Sequence, residues 1–161
     1  MDSARHDNMS ADHVGHAKHY VRLAWMAALS FVAMFILMYA MVDRASSIYP
    51  NLNQAYMALL MAAPMVLIEL ALMGKMYPDK RMNLFIAGAS AVVGLAAFFA
   101  IREQAAIGDQ EFLRSMIPHH SGAILMCEQA PIQDADIQAL CQRIIASQRE
   151  EIAEMKTLLN R

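Results

Sequence analysis

The residues best suited to chemistry lie in one short run, Met116-Ile117-Pro118-His119-His120-Ser121-Gly122-Ala123-Ile124-Leu125-Met126-Cys127. On a helix turning about 100° per residue, His119 and Met126 point one way, and Met116, His120 and Cys127 lie together on a neighbouring line. The resulting stripe holds two imidazoles, two thioethers and a thiol. Imidazole suits copper, zinc and nickel, whereas thioether selects Cu(I) or Ag(I). Structural zinc sites use cysteine and histidine and hardly ever methionine. The mixed set therefore points to a soft monovalent ion. A lone His or Met on an apolar face is usually packing, but a doubled His framed by methionines is harder to assign to packing alone.

Pro131 ends this helix, and Asp134 or Asp136 caps a second one, apolar at Ile137, Leu140, Cys141, Ile144, Ile145, Ile152, Met155 and Leu158. The short connection makes the pair an antiparallel hairpin. With its turn centred near Asp134, Cys127 faces Cys141, His120 faces Gln148, and Met116 falls near Ile152 and Met155. Met155 could thus complete a site begun by Met116 and His119 or His120. Cys127 and Cys141 have three readings: a disulfide, two buried small hydrophobes, or extra thiolate ligands. An oxidising compartment favours the disulfide. At the start of the first helix Asp109 reads as the N-cap, with Glu111 in the first turn. Pro118 either kinks that helix or marks its first turn. A weaker metal candidate is the N-terminal set His13, His16 and His19, at helical spacing.

Other chemistries lack their residues. Ferritin-type metal oxidases need Glu-x-x-His pairs, and none occurs in the sequence. There is no nucleophile beside a base, no Gly-rich phosphate loop and no H-E-x-x-H. The reading is a binding protein, not an enzyme, with no organic cofactor. A formal net charge of -2 gives no basic field for nucleic acid.

The elements that must position the stripe begin with a membrane. The chain is 58% hydrophobic and only 17% charged, against roughly 25% charged in soluble domains. Three apolar runs, at about 21–42, 54–74 and 82–101, each reach the ~20 residues that cross a hydrocarbon core. They divide the chain into a polar, His-containing tail (1–19), a three-helix membrane region (20–102) and an extramembrane hairpin (109–160). Arg5, Lys18 and Arg22 in the tail and Lys75, Lys80 and Arg81 in the second loop outnumber Arg44 in the first loop and Arg102 and Arg114 beyond the third helix. The positive-inside rule then places the N-terminus in the cytoplasm and the hairpin outside, in the periplasm of a bacterial inner-membrane protein. Glu69 is costly within a bilayer, but sits near the cytoplasmic end, where water or Lys75 is in reach. Met34, Met38 and Met41, and Met57, Met61 and Met65, line single helix faces; packing against lipid accounts for them better than an ion ladder. Ala87, Ser90, Ala91 and Gly94 suit close helix packing.

Two helices make too thin a core to stand alone. The hairpin is therefore expected to pair with another copy, as a dimer or a multiple of one, in a four-helix bundle.

The run Met116-Ile117-Pro118-His119-His120, with Ala123 and Met126, followed by Gln148-x-x-Glu151-Ile152-x-x-Met155, resembles the bacterial domain-of-unknown-function 305 family. The resemblance covers about Asp109 to Leu159. It implies a ferritin-like helical bundle and a link to periplasmic copper binding and copper resistance, with Met116, His119, His120, Met126 and Met155 as copper ligands. Many members carry two copies of the hairpin where this chain has one, which again implies a second subunit. Cys127 and Cys141 stand where the family usually has small residues. The expected whole is an all-α protein of three transmembrane helices and a ferritin-like hairpin. It would bind Cu(I), and Ag(I) by the same chemistry, for sequestration or handover. The alternative is a non-catalytic membrane adaptor or oligomerisation protein with no metal requirement.

Overall fold

The computed structural model describes the backbone of residues 3–161 and the side chains from Lys18 onward. Among the described residues every regular element is helical: α1 (Ser3–Leu37), α2 (Leu52–Leu72), α3 (Lys80–Arg102), α4 (Asp109–Gln129) and α5 (Ala135–Leu159), with 3₁₀ turns at Met38–Met41, Ala45–Ser47 and Gly74–Met76. Lys18–Met41, Leu52–Leu72 and Lys80–Arg102 are long and apolar enough to cross a membrane. Large apolar side chains face outward from them, with Leu72 77% and Leu84 76% exposed, an arrangement that suits lipid rather than water.

Two of the spans start earlier than the apolar runs suggest, because polar residues cap them. Asn51 accepts the Gln54 N–H through Oδ1 at 2.9 Å, so α2 begins at Leu52. Asp79 accepts the N–H groups of Arg81 and Met82 at 2.9 and 3.1 Å, so α3 takes in Lys80 and Arg81. At the other end, α2 stops at Leu72, short of the expected 74.

The chain forms two compact units. The first is drawn from Met1–Met34 and Tyr56–Arg102. Its buried cluster is Leu23, Val66 and Tyr77, with Tyr20, Met26, Leu70 and Ile86 packed against it. Here α3 meets α2 closely: a Cβ on Gly94 would stand 3.2 Å from that of Ala63, in line with the small-residue face read from the sequence. Glu69 takes its hydrogen bond from the Tyr77 hydroxyl, at 3.2 Å, rather than from Lys75. Burial, and then the Glu69 charge and this bond, push the Tyr77 phenol above its ordinary pKa.

The second unit joins Phe35–Ala55 to Glu103–Arg161. Its core is Ile117, Ile124, Ile152 and Met155, covered by Leu113, Met116, Ile145, Leu159 and Tyr49. Tyr49 belongs to the connection between the first two spans, which the sequence presents only as a loop. That connection supplies part of the cover expected from a second copy. Its Asp43 meets Ser121, which is fully buried on α4: the Asp43 N–H donates to the Ser121 Oγ at 2.8 Å, and that hydroxyl donates back to the Asp43 carboxylate. Glu111 accepts the Leu52 N–H at 3.0 Å, placing a carboxylate at the first turn of α2.

Both hairpin helices start with local chemistry. Gly108, not Asp109, is the N-cap of α4 and makes no side-chain cap bond; Asp109 is the first helical residue. Asp134 caps α5, its Oδ1 accepting from Asp136 and Ile137 at 2.9 and 3.0 Å. Pro118 sits inside α4, where it leaves the Arg114 carbonyl without its helical donor. Between α3 and α4, Gln104 and Ala106 have φ of 50° and 58°, a conformation costing an L-residue roughly 1–2 kcal/mol. Ala106→Gly is accordingly expected to stabilise the protein by up to about 1 kcal/mol. A melting temperature of the solubilised chain that falls instead would contradict this.

Candidate metal centre

The hairpin register follows from one covalent tie. Cys127 on α4 and Cys141 on α5 form a disulfide with their Cα atoms 5.3 Å apart, which resolves the three readings of this pair. Counting seven residues away from the bridge on each helix sets His120 opposite Gln148. Fourteen along, toward the open end of the hairpin, Met155 lies in the buried cluster with Met116 packed against it. Arg149 closes the edge by pairing with Glu128 across the helices at 2.6 Å.

The stripe splits into two lines, as its spacing requires. On the inner line Met116 is half-buried, and the His120 side chain is 15% exposed. On the outer line His119 is exposed and Met126 is 55% exposed. The two imidazole centroids stand 6.3 Å apart, their planes at 61°. One hairpin thus brings Met116, His120 and Met155 to its interior side and leaves His119 and Met126 facing out. His19 is half-buried in the other unit. His13 and His16 lie outside the described residues in respect of their side chains.

The inner line carries an unmet demand. His120 Nδ1 is buried and has no hydrogen-bond partner, and the same holds for Gln148 Oε1. The Glu151 carboxylate comes within 3.4 Å of His120 Nδ1, near enough for charge attraction but not in hydrogen-bond geometry. Burial lowers the His120 pKa from its ordinary value and His119 adds to this, while Glu151 pulls the other way. The downward shift favours the neutral imidazole, the form that ligates metals. A buried polar atom without a partner costs about 1–3 kcal/mol, so two of them on facing helices mark a place where a bound group would restore lost interactions. Among the described residues no three His, Cys, Asp or Glu side chains converge on one point. A centre here would draw on thioether and amide donors.

Sequence reasoning missed Asp43 as the partner of Ser121, next to His120. The available signal was Ser121-Gly122 on an otherwise apolar face, since small residues there permit close approach. A Cβ on Gly122 would lie 3.4 Å from the Met41 carbonyl.

The pattern of a domain of unknown function (DUF305) matches residues 89–160. The match begins inside α3, so it reaches further toward the N-terminus than the hairpin alone. An uncharacterized protein of Acanthamoeba polyphaga mimivirus is 35% identical over 138 residues, covering 84% of this chain and 89% of the relative. A similarity of that length cannot be confined to the hairpin. No solved structure is significantly similar to the chain.

Proposed function

This chain belongs to the DUF305 family, and from that premise we propose that it is a membrane-anchored binding protein for Cu(I). Ag(I) would bind by the same chemistry, and the role is sequestration or handover rather than catalysis. The observation that carries the reading is the pair of buried polar atoms without a hydrogen-bond partner, His120 Nδ1 and Gln148 Oε1, on the same hairpin whose core holds Met155 with Met116 packed against it. Neutral imidazole and thioether are donors for a soft monovalent ion. His119 and Met126, on the outer line, can pass an ion onward or be completed by a second copy. The excess of basic residues in the tail and the second loop supports a periplasmic position for the hairpin in a bacterial inner membrane.

The test is an anaerobic Cu(I) titration of the full solubilised chain against a competing chelator. His119→Ala/His120→Ala is expected to lose one equivalent, or to hold it more than about a hundredfold more weakly, since even outer-shell changes cost 10–100-fold. Unchanged stoichiometry and affinity would overturn the assignment.

Phe112, Ile137 and Leu140 expose apolar side chains on the hairpin, as does Met126, and this favours association into a homodimer or a multiple of one. It also supports the second reading, an adaptor that oligomerises without metal. Light scattering before and after chelator treatment separates the two: an oligomer that survives, in a chain that binds no Cu(I), is the adaptor's result.

A further inference from the structure

The membrane unit holds a second set of soft donors. A cavity of about 170 Å³ is lined by His19, Arg22, Met26, Glu69, Met76 and Tyr77, all within one unit. The sequence builds it simply. His19, Arg22 and Met26 follow helical spacing along one side of α1, Glu69 comes from the last turn of α2, and Met76 and Tyr77 come from the link to α3. Tyr77 is buried, and its ring packs against Tyr20 with centroids 5.4 Å apart. The His19 ring stands edge-on to Tyr77 at 6.5 Å. Tyr77 is further fixed by donating its hydroxyl proton to Glu69.

His19 Nδ1, held this way, is buried without a hydrogen-bond partner. A ligand that used its lone pair would recover the interaction it lost on leaving water. The two thioethers beside it decide which ligand. They donate no hydrogen bond and bind hard cations poorly, but join imidazole readily around a soft monovalent ion. Glu69 adds a negative charge at the end of an apolar helix, where a carboxylate is a functional suspect by default.

We propose that this cavity is a second site for one soft monovalent cation, Cu(I) or Ag(I), held by the His19 imidazole and the thioethers of Met26 and Met76, with Glu69 offsetting part of the positive charge that the ion and Arg22 bring to the cavity. It shares no residue with the hairpin centre, so either site can fail alone.

The test uses the full chain in lipid nanodiscs, titrated anaerobically with Cu(I) against a chelator, in the His119→Ala/His120→Ala background. One equivalent is expected to remain there. Adding Met26→Leu/Met76→Leu, which conserves volume, should remove it, together with the sulfur signal in the copper X-ray absorption spectrum. His19→Gln in the same background should also abolish it, and this variant decides if the double leucine chain does not insert. A remaining equivalent that ignores these substitutions would assign it to the other histidines of the tail and overturn the proposal. So would a background chain that binds no Cu(I). Failure of the hairpin reading is seen separately, as a background chain that binds as much as the unsubstituted one.

Discussion

Replacing Cys127 and Cys141 together by serine is expected to destabilise the hairpin by about 3 kcal/mol. The bridge closes a segment of 14 residues, and the chain-entropy relation gives about that figure for a loop of this length. Near the turn the bridge is joined by the Arg149–Glu128 pair. The buried core lies further along the helices, at Ile117, Ile124, Ile152 and Met155. Hydrogen exchange of the α4 and α5 amides measures the loss directly, as protection falling by about two orders of magnitude. The same substitution should weaken Cu(I) binding, since His120 would no longer be kept opposite Gln148. Unchanged exchange would mean that the packing alone sets the register.

Ser121→Ala should cost about 2–3 kcal/mol, far more than the loss of one hydroxyl at a surface. Ser121 is fully buried, and the Asp43 side chain is only 7% exposed, with Arg44 as its ion-pair partner at 3.4 Å. Removing the hydroxyl leaves a nearly buried carboxylate short of a donor, and the penalty for a charged group exceeds that for a neutral one. Asp43→Asn in the alanine background should restore part of the loss. A double-mutant cycle in which the two effects simply add would show that the residues do not act as a pair.

What the sequence reveals and what it conceals differ in kind. Three helices long and apolar enough to cross a membrane are legible because runs of about twenty apolar residues admit few other readings. The hairpin is legible because its apolar positions recur at helical spacing around a short turn. From that spacing alone Cys127 falls opposite Cys141 and His120 opposite Gln148. Both rest on local periodicity. The packing of Phe35–Ala55 onto α4 is not legible, because the Asp43–Ser121 contact joins residues 78 positions apart and neither carries a repeating pattern. The Tyr77–Glu69 bond was hidden for a related reason: Lys75 offered a nearer and oppositely charged partner, and only the turn geometry selects the hydroxyl. Within the candidate centre the donor types and their two lines were readable, but not which line is buried and which exposed. That depends on which face of α4 meets α5 and Tyr49.

The carboxylate that Glu111 lends to the start of α2 bears on how the protein is made. The Leu52 N–H and its acceptor are 59 residues apart. At the roughly 5–20 residues per second of protein synthesis, α2 emerges about 3–12 s before the side chain that completes its first turn. During that interval only Asn51 caps the helix, and Asp43 waits without Ser121. The segment between the first two spans is thus a provisional structure, closed when the last third of the chain arrives. Ribosome stalling or truncation before α4 would leave that segment without the Ser121 and Glu111 partners that complete it.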